Sequence, residues 1–234
     1  MILGVACTGL RAQTTPDGTA ANPFPISTFE QIQSLANCVN TVSSKFYYKA
    51  SDGMYYTSKS GSGTWVEINV TSNAVHYKLQ NDIVVNSGTN VAACDGDGTG
   101  ITVWTPIGNN LNHTFQGHFD GDYHIISGVY VKYTGTDVNN CSGVFGAVSS
   151  NSVVENLGVA NAYIEGYQYT GGLVGNLIAS SLSHCFVDAT VVSRYRYVGG
   201  LVGYAASATG EIRSQMTDCY STGSVTSTSD HIGG

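Results

Sequence analysis

Tyr167 and Tyr195 lie 28 residues apart, and so do Tyr169 and Tyr197. Both pairs stand in front of a glycine pair, in YQYTGG and YRYVGG. If the chain returns to the same place every 28 residues, these side chains form a two-by-two ladder, with Gln168 and Arg196 alternating to the other side. An exposed ladder is a stacking platform for sugar rings or a sticky protein surface, because tyrosine offers large area at small entropic cost. Tyr167, Tyr169, Tyr195, Tyr197 and Arg196 are therefore the candidate ligand-binding residues. If the ladder is not exposed, it is ordinary stabilisation between neighbouring strands.

A second cluster lies in HTFQGHFDGDYH, with His113, His118, Asp120, Asp122 and His124. Two carboxylates two residues apart on one strand face suit glycoside or lyase chemistry. Asp120-Gly121 equally reads as a turn in which the aspartate bonds its own backbone. The remaining Glu155, Glu165, Asp188, Arg194, Arg196 and Asp218 are scattered. Asp95-Gly96-Asp97-Gly98 has the spaced carboxylates of a calcium loop, but the twelfth position from Asp95 is Pro106, not glutamate. A plain turn accounts for it, so no metal or cofactor is expected. No Ser–His–Asp set, HExxH, phosphate loop or CxxC is present, and the chain reads as non-catalytic.

The elements that must carry these residues show in the composition. Charged residues make up 11% of the 234 and hydrophobic ones 42%. That is a folded, turn-rich, β-rich balance. The net charge of −7 leaves no basic footprint for nucleic acid, and no apolar run reaches a bilayer's width. The opening MILGVACTGLRAQTTPDG resembles the tail of a secretory signal, cleaved near Ala12, with Cys7 as an alternative lipidation site. Residues 1–17 are read as this leader, and the protein as extracellular or on the cell surface. Export permits disulfides, and Cys38, Cys94, Cys141, Cys185 and Cys219 make an odd set.

The repeat fixes the fold class. Gly143, Gly172, Gly200 and Gly234 are spaced by 29, 28 and 34. Leu157, Cys185 and Cys219 are spaced by 28 and 34, and each is followed 15 residues later by one of those glycines. The six extra residues of the longer unit fall between Leu201 and Cys219. A constant core with a variable loop marks a stacked repeat. The apolar stretches are short, β-branched and bounded by Gly, Ser or Asn, so they are strands. The fold class is all-β, a right-handed parallel β-helix or solenoid of about 28-residue coils from residue 75 onward. Two reasons for glycine at this corner are open: no room for a side chain, and a backbone with φ > 0. Cys185 and Cys219 stack as two small buried hydrophobes, or as a disulfide.

The GGLVG units at 171–175 and 199–203, with CFVDATV and CYSTGSV, resemble the GLUG-motif repeats of bacterial secreted and surface proteins. WTPIGNNLNHTFQGHFDGDYHIISGVYV resembles the coil that leads into such repeats, and GTAANPFPISTFEQIQSLANCVN resembles the usual start of the domain. The resemblance implies an adhesin-like protein with no catalytic residues inside the repeat. Its partners would be a glycan or an extracellular host or matrix protein.

Residues 18–40 are expected to supply an N-terminal strand and a helix. Thr28 and Gln31 frame a capping box, and Phe29, Ile32, Leu35, Ala36 and Val39 share a helical face. The helix would cover the first open coil. Residues 41–74 read as a hairpin-like insertion, 75–142 as leading coils, and 143–234 as the repeats, cut off at Gly234 before a cap. Further domains of the same polypeptide are expected beyond it. The functional expectation is a non-catalytic surface solenoid presenting its tyrosine-rich face for adhesion. A polysaccharide-active lyase or hydrolase and a passive spacer are the alternatives.

Overall fold

In the computed structural model, residues 14–91, 99–207, 213–228 and 231–233 are described. Cys7, Ala12, Cys94, Asp95, Asp97 and Gly234 lie outside the described residues, as do 208–212 of the variable loop. Among the described residues the protein is mostly strand, with one helix.

The strands build four parallel sheets. Sheet 1 holds Phe24–Ile26, His76–Leu79, His118–Asp120, Val153–Glu155, Ser181–Ser183 and Gln215–Thr217, in that spatial order. Sheet 2 holds Cys141–Ser142, Tyr169–Gly171, Val198–Gly199 and Ile232–Gly233. Sheet 3 holds Phe145–Val148, Val174–Ile178 and Val202–Ala206. Sheet 4 is led by Gly158–Gly166, Phe186–Ser193 and Tyr220–Ser227. From Phe145 onward the chain visits sheets 3, 1, 4 and 2 in that order and then begins again.

The registers reproduce the sequence period. Val153 pairs with Ser181 and Val174 with Val202, both 28 residues on. Ser181 pairs with Gln215, 34 residues on. The six extra residues therefore lie between Ala206 and Gln215. Successive layers bury one another's inward columns. Phe24, Tyr77, Phe119, Val154 and Leu182 are in-register neighbours down sheet 1, and each is at most 2% exposed. Met216, next in that column, is 49% exposed because no further described strand covers it.

The helix spans Phe29–Thr41. The Thr28 side chain accepts from the Gln31 amide, and the Gln31 side chain returns a bond to the Thr28 amide. Ile32, Leu35, Ala36 and Val39 are buried in the main core, while Phe29 is half-buried against Trp104. Asn40 ties the helix end to the first layer by accepting from Gly108 N and Asn109 N. The segment read as a hairpin forms three antiparallel strands, with Lys45–Lys49 between Met54–Tyr56 and Trp65–Asn69. It docks because Tyr48 and Tyr55 pack their rings on Phe24 at 4.7 and 6.2 Å.

The glycine columns differ from the sequence reading in two ways. Cys141 pairs with Tyr169, which puts Gly143 beside Gly171, whereas Phe145 pairs with Val174. An extra residue thus enters at the TGGLV corner, and Gly143 does not share a column with Gly172. Gly172 and Gly200 do stack, with Gly172 N donating to Gly200 O at 3.1 Å. The second difference is the cause of the glycines. None of Gly143, Gly172 and Gly200 has positive φ. A Cβ on Gly172 would lie 2.4 Å from Gly200 O, so space alone demands glycine there.

The left-handed conformation falls instead on Asn156, His184 and Asp218, at φ 53°, 51° and 53°. They form their own column, just before Leu157, Cys185 and Cys219. Short polar side chains tolerate this conformation best, which suits Asn and Asp at a recurring corner.

Candidate functional site

The tyrosine ladder forms where the chain passes from sheet 4 to sheet 2. Tyr167 stacks on Tyr195 at 5.2 Å with 15° between planes, and Tyr169 on Tyr197 at 5.4 Å and 6°. All four rings are half-buried. Parallel strands in register set this spacing, since each ring rides on its own layer. Two further rings extend the ladder. Tyr204 lies 5.8 Å from Tyr169 and 4.7 Å from Tyr197, and His231 lies 5.1 Å from Tyr197.

Arg196 departs from the expected alternation. Its guanidinium lies over the Tyr195 ring at 4.4 Å and 5.9 Å from the Tyr197 ring, and it donates to the Tyr195 hydroxyl. Cation–π attraction and that bond hold it with the tyrosines rather than on the other side. Gln168 does turn inward and is 8% exposed. Arg194 stands over Tyr167 at 5.9 Å, reaches Glu165 at 3.5 Å and donates to the carbonyls of Tyr133 and Gly135. Burial raises the Tyr169 phenol above its ordinary value, so it is a neutral donor at physiological pH.

This geometry changes what the ladder offers. The ring faces point along the stack and are taken by one another, by Arg196 and by His231. Each of the four residues is half-buried, so part of it stays open to solvent. What this leaves available to a ligand is hydrogen bonding and edge contact rather than an open aromatic face.

The Asp/His cluster splits. His118 and Asp120 lie on sheet 1. Asp122 lies past the strand end at φ 49°, so the two carboxylates do not share a strand face. The Asp120 carboxylate accepts from Asp122 N and from Asn156 Nδ2, both at 2.9 Å. His124 bonds Asp82 at 3.1 Å, away from the others, and His113 sits in a turn whose amide bonds Asn110 O. His118 and Asp120 are joined by Glu155, which the sequence reading left as scattered, and by His76 and Lys78, which it did not single out. His118 Nε2 lies 2.6 Å from Glu155 Oε1. The His76 and His118 rings are 4.6 Å apart. Lys78 Nζ lies 3.0 Å from Asp122 and 3.7 Å from Asp120. His76 and Lys78 pair in register with His118 and Asp120 at a spacing of 42 residues, so the 28-residue period does not reveal them. Ala20, Ala21 and Pro23 close one side, leaving a groove of about 390 Å³.

Leu157, Cys185 and Cys219 stack as a column beside the register Gly158–Phe186–Tyr220. Cys185 is buried, Cys219 is half-buried, and both thiols are free. Cys38 and Cys141 are also free and buried. The neighbouring Cys185 thiol, above all, lowers the Cys219 thiol to about 6. The same contact, with burial, raises Cys185.

Comparison with known proteins places these features. The family model described as the GLUG motif matches residues 166–192 and 195–226. The chain is 34% identical over 111 residues to an Evansella cellulosilytica protein provisionally named a Gly-rich membrane protein. It is 35% identical over 107 residues to halomucin of Haloquadratum walsbyi. Each match covers 46% of this chain, but the chain spans only 12% and 1% of those relatives. A crystal structure of a Bacteroides ovatus protein, provisionally named an immunoglobulin A1 protease, aligns over 94% of this chain and 86% of its own. The TM-score is 0.36 at 14% identity. No helix among the described residues is long and apolar enough to cross a membrane. The chain therefore carries two GLUG motifs in tandem, and the tyrosine ladder is made of the opening residues of both.

Proposed function

We propose that this chain is a repeat domain of a secreted or cell-surface protein, wound as a right-handed parallel β-solenoid of about 28-residue coils. Its tyrosine and arginine edge is the adhesive surface, and it takes a glycan or an extracellular host or matrix protein. The role is one of binding, with no catalytic step. The GLUG motifs and the names of the relatives, a membrane protein and a halomucin, support a surface setting. One observation carries the adhesive reading. Four half-buried tyrosines and a half-buried guanidinium from two consecutive layers stand in one regular row, where a purely structural ladder needs no arginine.

The test is a screen of the protein against a glycan array and immobilised matrix proteins, beside a variant with Tyr167, Tyr169, Tyr195 and Tyr197 all changed to Ala. Retention that drops about tenfold or more in the variant, with unchanged circular dichroism, supports the reading. Equal retention of both proteins sinks it. Absence of binding by either leaves the domain as a spacer.

A further inference from the structure

The groove on sheet 1 is a separate feature from the tyrosine ladder, on the layers that precede the first GLUG motif and end where Glu155 pairs with Ser183 of that motif. Its floor is the outward face of three neighbouring strands, which contribute His76 and Lys78, His118 and Asp120, and Glu155 in turn. Its wall is the loop with Ala20, Ala21 and Pro23, held against the floor by the bond from His76 N to Gly18 O at 2.8 Å. The volume of about 390 Å³ falls in the usual range for small-ligand clefts.

The lining is not a finished ion-pair ladder. Glu155 holds His118, and Asp120 and Asp122 hold Lys78, but among the described residues the ring nitrogens of His76 have no hydrogen-bond partner. Burial first, and His118 next, depress the His76 imidazole below its ordinary value, so at neutral pH it is uncharged, with one donor and one acceptor. A neutral imidazole with both valences unmet, in a groove edged by two carboxylates and an ammonium, asks for a partner that donates and accepts at several points.

Charge selects the class. An anion would meet Asp120 and Glu155, and a cation would meet Lys78. An uncharged polyol meets neither objection, since carboxylates accept from its hydroxyls while Lys78 and His76 donate to its oxygens. Ala20, Ala21 and Pro23 offer the apolar wall against which the C–H face of a pyranose packs. We propose that this groove is a second ligand site, which binds a neutral mono- or disaccharide unit through His76, Lys78, Asp120 and Glu155. It is independent of the tyrosine edge and gives the domain two points of attachment to a glycan-coated surface.

The test is a titration of the whole chain with glucose, galactose, mannose, N-acetylglucosamine and their β-linked dimers, followed by NMR of the histidine ring protons and by calorimetry. One or more sugars should shift the His76 and His118 ring signals at saturable concentrations and leave His113 still. His76→Phe keeps a ring on His118 but removes both nitrogens, and should weaken that binding by about tenfold or more. Glu155→Gln, which keeps shape and loses the charged acceptor, should weaken it less. Two results overturn the proposal: no sugar moving the His76 and His118 signals, or His76→Phe binding as tightly as the parent. Each variant's circular dichroism and melting curve show that a loss of binding is not a loss of fold.

Discussion

At the residue scale, single atoms decide what each repeated position tolerates. Gly172 has ordinary φ but no space, because a Cβ would sit 2.4 Å from Gly200 O and 2.5 Å from Val187 Cγ1. Backbone cannot step aside as a side-chain tip can. Gly172→Ala should therefore cost about 1–3 kcal/mol, read as a lower urea midpoint at unchanged slope. Gly88→Ala should cost less, at about 1 kcal/mol, since its Cβ meets open space and only its φ of +70° objects. The stacked thiols give a pH-dependent prediction. The neighbouring Cys185 thiol favours the Cys219 thiolate, so the depressed Cys219 titrates before an ordinary cysteine. Alkylation of Cys219 by iodoacetamide should reach half its maximal rate below the roughly 8.5 of a free thiol, and Cys185→Ala should move that midpoint upward. An unshifted midpoint in the variant would remove Cys185 as the cause.

At the element scale, the helix is the part most nearly written in local sequence. Thr28 and Gln31 satisfy each other's amides across three residues, and nothing distant is needed. Thr28→Ala should destabilise the protein by about 1 kcal/mol, measured by thermal unfolding, while Thr28→Ser should stay close to the parent. The strands were legible for the same kind of reason, because short β-branched runs between turn residues set their limits. The three-stranded antiparallel sheet at 45–69 was only partly legible. Its turns were visible, but which strand lies in the middle depends on how Tyr48 and Tyr55 dock on Phe24.

At the scale of the whole molecule, each layer is stabilised by the layers above and below it. Leu182 and Val198 are 1% exposed, whereas Met216, Tyr220 and Ile232, in the last described layer, are 49%, 61% and 55% exposed. Local opening should follow that gradient. Amide exchange followed by mass spectrometry should be fastest in Val202–Ala206, Gln215–Thr217 and Tyr220–Ser227, and slowest in Phe145–Val148 and Gly158–Gly166. Uniform protection along the chain would mean that the layers open as one unit rather than from the exposed side.

The sequence by itself determined the period, the strand class, the variable loop and the helix cap. Each follows from spacing or from contacts within a few residues. It also brought Tyr167 to Tyr195 and Tyr169 to Tyr197, because the 28-residue step is constant there. Only the tertiary structure decided where Arg196 lies, since its place depends on the rings of Tyr195 and Tyr197 and not on strand alternation. Only the tertiary structure showed that those rings cover each other's faces. It alone joined His76 and Lys78 to His118, Asp120 and Glu155, across steps of 42 and 35 residues that no period predicts. Where every layer has the same length, sequence distance gives spatial neighbours. Where layers differ in length, only the backbone hydrogen-bond register does.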